Sequence, residues 1–262
     1  MPPMTFNDVQ LLAFDVQPVP SSGLPALNRL LFEQEYLPSA FAKDVLVANE
    51  RTYEQRLCAC RMIADVDDPT PTVLGLLVLG NSPRDWLPGA YIQFLRLDGT
   101  DLSAPVIDDL LIDGHLAQVL RRVEEKLQSH NRSSVDITSG PIETRTSAYP
   151  RAALQQLVYN AVLHRTYEAT HAPVRVYWFD DRIEIHNPGG PFGAVTVANF
   201  GQPGVTDYRN PHIAEALKVL GFVQKFGVGI ATARAELQRN GNPPPEFTVD
   251  PSHVLVTVRA KS

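Results

Sequence analysis

The chain has 262 residues, 44% hydrophobic and 20% charged, which is enough apolar material to bury a core and divide into two modest domains and excludes a disordered or fibrous chain. Its net charge of −6 splits into −8 over residues 1–149 and +2 over 150–262, and with a pI of about 5.6 and no basic run, nucleic-acid binding is expected to be weak at most. No apolar stretch approaches the roughly 18 residues of a membrane helix, and the first ten residues carry neither a basic region nor an apolar signal core, so no membrane partner is expected.

Residues 1–23 are rich in Pro and Ser with little periodicity and read as a docked extended arm. Apolar residues at three- and four-residue steps predict helices over 25–36, 39–48 and 52–63. Cys58 and Cys60, inside the third, point apart on a helix, against a local disulfide or metal pair, and make a reducing cytoplasm the simplest expectation. The runs 72–79 and 90–97, separated by turn residues, predict an adjacent strand pair; 106–112 predicts another strand, and Gly114 opens an amphipathic helix ending near Asn131. The polar stretch 132–148, containing Gly140-Pro141, is the linker candidate, dividing the chain into 1–131 and 149–262.

After Pro150 a helix with Leu154, Leu157, Val158, Ala161 and Val162 on one stripe is expected to run to about Arg165. His164 and Arg165 then place positive charge at its carboxy-terminal end, where it suits the helix dipole. A hairpin over 174–179 and 183–186 ends in Asn187-Pro188-Gly189-Gly190, a long loop covers 191–208, helices follow at 211–220 and 229–239, and strands near Phe247 and at 254–258 close the chain. The fold class is α+β: an antiparallel sheet with helices on one face, after a smaller α+β domain.

Three features of the second half suggest chemistry. Asn160, with Gln156 one turn earlier, offers an amide oxygen to a hard cation such as Mg²⁺. The glycines at 189 and 190 let a backbone approach a ligand closely. Gly227-Val228-Gly229, opening a helix, offers free N–H groups to a phosphate. Singly, each is as easily a satisfied Asn, a plain turn and a tight loop.

Together, in this order, they resemble the GHKL ATPase module, the Bergerat fold of gyrase, MutL-type proteins and histidine kinases. Residues 149–247 are similar to the divergent version in proteins labelled RecG-like helicases or Schlafen-type transcriptional regulators. The strings that carry the likeness are Asn160-Ala161-Val162-Leu163-His164-Arg165, Asp181-Arg182-Ile183-Glu184-Ile185 leading into Asn187-Pro188-Gly189-Gly190, Tyr208-Arg209-Asn210-Pro211 and Phe226-Gly227-Val228-Gly229-Ile230. The first half is similar to the tail of a Schlafen AlbA-like domain, at 71–80 and 88–99, without the acidic segment with which such domains usually begin. No GxxxxGK[ST] string occurs, so a P-loop motor is excluded.

The resemblance implies ATP and Mg²⁺ as cofactors, with Asn160 on the metal, Gly189 and Gly190 under the nucleotide, Gly227, Val228 and Gly229 donating to phosphate, 191–208 as a lid and Thr257 near the base. It implies Gln156 where the family has its general-base Glu, and an amide cannot take that proton. It implies Asn187 where the family has an adenine-reading Asp; an amide adds a donor, so relaxed choice of base is expected. A regulatory nucleotide-binding module with little hydrolysis, an active ATPase using Glu168 or Asp207, and an interaction domain without nucleotide all remain open, with a homodimer or protein partner.

Overall fold

The computed structural model describes residues 13–131, 133–136, 144–202, 204–223 and 227–261, so the first half of the expected amino-terminal arm, the Gly140-Pro141 turn and Phe226 lie outside the described residues. The helices that follow the arm are short and interrupted: α1 (Arg29–Leu31), a π-helical stretch at Phe32–Tyr36, α2 (Leu37–Ala40), α3 (Lys43–Ala48) and α4 (Tyr53–Ala59). Their starts are set locally. The Asn28 side chain accepts from the Leu31 N–H, and Thr52 and Gln55 form a reciprocal capping box on α4.

The run Thr72 to Leu79 is a helix, α5 (Val73–Leu79), and not the expected strand. All seven residues are buried, so no polar face marks a helical period, and a short all-apolar run does not distinguish a buried helix from a buried strand. The deciding signal is Thr72, whose hydroxyl accepts from the Gly75 N–H at 3.0 Å and caps the helix.

The remaining elements follow the expected order: β1 (Ile92–Leu97), β2 (Val106–Ile112), α6 (Leu116–His130), a hairpin of β3 (Ser133–Asp136) and β4 (Thr144–Ser147), α7 (Arg151–His164), β5 (Val174–Trp178), β6 (Arg182–Pro188), α8 (Pro211–Val219), α9 (Gly229–Asn240), β7 (Glu246–Val249) and β8 (His253–Arg259). The expected linker therefore carries a strand pair. One six-stranded sheet has the order β2-β1-β5-β6-β8-β7, drawing strands from both sides of residues 132–148. It is antiparallel except that β1 runs parallel to β5, with Phe94 beside Val176, so the partners of 90–97 are β2 and β5. Alternate residues of the inner strands are buried, among them Ile92, Val176, Ile185 and Val256. On the helical side, α6 packs on β1 and β2, α7 on β6, and α9 on α7, an α+β architecture.

The arm docks on the start of α5 through a bridge at Pro18 and Thr72, and on α8 through a carboxylate. Asp15, fully buried, accepts the N–H groups of His212 (2.7 Å) and Ile213 (3.0 Å) and the His212 ring Nδ1 (2.9 Å), which caps α8 from a segment 197 residues earlier. His212 also meets Arg61 through its other ring nitrogen. Asp15→Ala should lower stability by about 2 kcal/mol, because two helix N–H groups lose their buried acceptor. The midpoint of urea unfolding checks this, and a midpoint equal to that of the wild type would mean that α8 is capped without the arm.

Candidate functional site

α7 buries its expected stripe, Leu154, Leu157, Val158, Ala161 and Val162, between the sheet and its neighbouring helices. The 3.6-residue repeat then sets Gln156, Asn160 and His164 in a row, one turn apart, on an adjoining face. That row lines a cavity of about 200 Å³, shared with the end of β6, residues of β7 and β8, the first turn of α9 and the segment 191–208. Gln156, Asn160, Asn187, Gly189, Gly190, Gly227 and Gly229 all line it. Residues spread over more than seventy positions of sequence thus converge on one pocket.

Two expected residues do not. Thr257 pairs with Glu184, and alternation along β8 puts it on the opposite face of the sheet from Val256 and from Asn187. Val228, expected to donate through its backbone, is 45% exposed and is not among the residues lining the cavity. Of the acids considered as replacements for Gln156, Glu168 is exposed and outside the pocket lining, while Asp207 lines the pocket but accepts the N–H groups of Ala194 (2.9 Å) and Tyr208 (2.7 Å).

The amino end of α9 has no side-chain cap, so the N–H groups of Gly229, Ile230 and Ala231 face the cavity rim without an intrahelical acceptor. Gly229 is there for contact: a Cβ at that position would sit 2.7 Å from Asn160 Nδ2. Among the described residues, no hydrogen bond engages the side chain of Gln156, Asn160 or His164. The glycine pair at the end of β6 has another cause. A Cβ on Gly189 would meet the Thr166 backbone at 2.8 Å and one on Gly190 the Pro251 carbonyl at 2.3 Å, so the pair lets the strand end wedge between the α7 exit and the β7–β8 turn.

Asn187 is buried, and its neighbours orient the amide with Nδ2 toward the Ala161 carbonyl at 3.2 Å. The donor is thereby engaged within the protein and Oδ1 is the outward group. An amide held this way presents an acceptor on its free side, as an Asp would.

His164 also departs from expectation. Burial, with the nearby Arg209 guanidinium, pushes its imidazole down to about 4, so at neutral pH it brings no charge to the helix end. It stacks on Tyr208 with ring centres 5.3 Å apart. Arg165 is a structural residue: its guanidinium donates to the carbonyls of Thr166 (3.0 Å), Ala172 (2.9 Å) and Gly89. Sequence reasoning missed Phe200, Phe247 and Arg234 in the cavity wall, since a lone aromatic or arginine carries no spacing signal.

Comparison with known proteins bears on the second half. Residues 171–258 match the family model described as "Putative ATP-dependent DNA helicase recG C-terminal". The carboxy-terminal half carries an ATPase-like module. The matched segment holds Asn187, the glycine pair and the turn into α9 but begins after α7, so Gln156 and Asn160 stand outside it. Among solved structures, the DIP2311 protein of Corynebacterium diphtheriae superposes with a TM-score of 0.71 at 20% identity, over 95% of this chain and 48% of that one. The likeness is one of fold, and this chain spans about half the length of that protein. No curated protein matches the chain. Among the described residues, no helix is long and apolar enough to cross a membrane, and no cluster of three His, Cys, Asp or Glu is arranged to hold a metal.

The pH dependence of stability tests the buried imidazole. Unfolded, His164 takes up a proton near its ordinary value of 6.5, whereas the folded chain refuses it until about 4, so stability is lost as pH falls through that window. His164→Gln should flatten this loss in denaturant midpoints measured from pH 7 to pH 4. An unchanged slope would mean that the imidazole is as solvated in the folded chain as in the unfolded one.

Proposed function

We propose that the chain binds ATP with Mg²⁺ in the cavity between α7, β6–β8 and α9, and acts as a regulatory module with little or no hydrolysis. The observation that carries this is the Asn160 amide, without a protein partner among the described residues, lying against the uncapped amino end of α9. In this reading Asn187 Oδ1 accepts from the adenine amino group, the free N–H groups at Gly229 to Ala231 take phosphate oxygens, and Asn160 Oδ1 is the protein's ligand to Mg²⁺. The metal, when bound, would neutralise phosphate charge. The family match at 171–258 supports the ATPase-like part of the reading.

Gln156 is what limits the chemistry. A water attacking the terminal phosphate must lose a proton, and Gln156, Asn160 and a neutral His164 form a row without a carboxylate to take it. Asp207 has both oxygens occupied by backbone N–H groups. A DNA-associated role, as in the helicase and regulator labels of the family, fits the net charge of −6 only as weak contact, and a homodimer or protein partner is the more natural recipient of a signal. The amino-terminal half is read as Schlafen-like on its strings at 71–80 and 88–99.

Calorimetry with ATP and GTP, with and without Mg²⁺, tests the reading. ATP should bind at least tenfold more tightly than GTP, because the guanine O6 would face the Asn187 acceptor, and Gly229→Val should abolish binding by pressing a side chain onto Asn160. Absence of heat with either nucleotide at millimolar concentration would leave an interaction domain as the better description.

Hydrolysis supplies a second test. Gln156→Glu places a carboxylate one helical turn from Asn160, and the rate of ATP cleavage should rise about a hundredfold over the wild-type background. Single-turnover assays of both proteins decide it; brisk turnover by the wild type, lost on changing Asp207 or Glu168, would put the base elsewhere.

A further inference from the structure

A second cleft lies in the first half of the chain and shares no lining residue with the cavity described above. Its walls are the short turn Pro83–Asp85, which follows α5, and the first two turns of α6 with the residues that lead into them. Pro83 and Leu87 are buried and pin the turn. Leu116, Val119, Leu120 and Val123 bury one side of α6, which leaves Gln118 and Arg122, one helical turn apart, on the side of the cleft. The cleft measures about 550 Å³, within the roughly 300–1,000 Å³ of small-molecule sites, and most of the residues in its wall are polar.

Two arginines meet there over one carboxylate. Arg84 donates to Asp113 Oδ2 at 3.2 Å, while Arg122 donates to the Asp113 carbonyl at 3.3 Å and comes within 3.9 Å of Oδ1. Neither pairing is bidentate. The Arg84 head also lies over the Tyr91 ring at 4.4 Å, and its Nε is buried without a hydrogen-bond partner. Each guanidinium therefore engages a single nitrogen, and among the described residues its other donors have no acceptor. Two positive charges share one negative charge, in a half of the chain that is otherwise acidic. Asp85, the other carboxylate in the wall, is exposed and pairs with neither arginine.

We propose that this cleft binds a small oxyanion, a phosphate ester or a carboxylate, between Arg84 and Arg122. An oxyanion that bridges the two heads supplies the acceptors that Asp113 alone does not, and arginine's planar fork suits both headgroups. Tyr91 and Asp113 hold the heads in place beforehand, which lowers the ordering cost of binding. Asn81, Ser82 and Gln118 offer neutral donors and acceptors to hydroxyls on the body of the ligand. The site stands independently of the nucleotide reading.

Titration of the whole chain with glycerol 3-phosphate, glycerate and glycerol tests it, with NMR signals read at the Gly114 amide and at the Arg84 and Arg122 side chains. The three probes share a body and differ in headgroup. Either anion should move those signals, the tighter of the two naming the headgroup, and glycerol should not. Arg84→Gln and Arg122→Gln should each weaken binding about tenfold or more, since each removes a charged donor. Asp85→Asn, a change at the exposed rim, should strengthen binding about twofold by removing a like charge. Gly229→Val, at the other cavity, should leave binding as it was. Signals that stay still with both anions at millimolar concentration, or equal affinity in the wild type and both arginine variants, overturn the proposal.

Discussion

The exit of α7 is held by donors that reach it from elsewhere in the chain, and the pocket depends on that. The last carbonyls of a helix have no partners within it. Here Asn210 donates to the carbonyls of Leu163 (2.7 Å) and Arg165 (2.9 Å), while Arg165 turns back and donates to Thr166, Ala172 and Gly89. A buried guanidinium with carbonyl partners and no carboxylate is costly to assemble and more costly to disturb, since losing any acceptor strands a desolvated charge. It lies over the Tyr167 ring at 4.5 Å, which adds a second fixed direction. The row Gln156, Asn160, His164 inherits its position from this anchor. So does Asn187, whose amide is set by the Ala161 carbonyl of the same helix.

Through the same anchor the first half of the chain takes part in the site without lining it. Gly89 lies just before β1, and β1 pairs with β5 next to the strand that carries Asn187. Asn131 brackets Tyr149, donating to its carbonyl at 2.7 Å and accepting its N–H at 3.2 Å, which fixes where the chain leaves α6 and enters α7. Asp15 caps α8, the helix that begins three residues after the segment 191–208. These are contacts between distant stretches of sequence, made by single side chains to backbone, and they fix the start and the exit of α7 and the start of α8.

The sequence announced elements whose period was unambiguous. The stripes of α6 and α7 and the hairpin after residue 173 read correctly because polar and apolar residues alternate at the spacing the element requires. α5 did not, because burial on every side erases the period. The parallel β1–β5 pair was hidden for another reason: it joins residues some eighty positions apart, and no local signal reports which strands will be neighbours. Gln156, Asn160, Asn187 and the glycines, singled out by their order along the chain, line one cavity, yet the Gly189-Gly190 pair also meets a close approach of protein to protein that their type did not suggest. Thr257 was misplaced by parity. One residue along a strand exchanges the faces of the sheet, and only the register with β6 says which face β8 turns inward.

The side chains that line the cavity explain how one fold can keep a binding geometry while changing what it does. Gln156, Asn160 and Asn187 are amides and His164 is held neutral, so apart from the engaged Asp207 the row that faces α9 carries no negative charge. A carboxylate at 156 would serve proton transfer but would also repel a polyphosphate at that end of the pocket, a repulsion of several kcal/mol at short range in a partly desolvated site. The amide removes both effects at once. It keeps the hydrogen-bonding shape of the site and relieves the repulsion, which favours occupancy over turnover. The local donors at the amino end of α9 then face no competing anion from α7, and in the proposed reading the charge of a bound polyphosphate would be balanced by helix N–H groups and by the cation that accompanies it. In the proposed reading, an amide where the resembled family has an acid would change the chemistry and conserve the fold, and the backbone of α7 would have no need to move for it to occur.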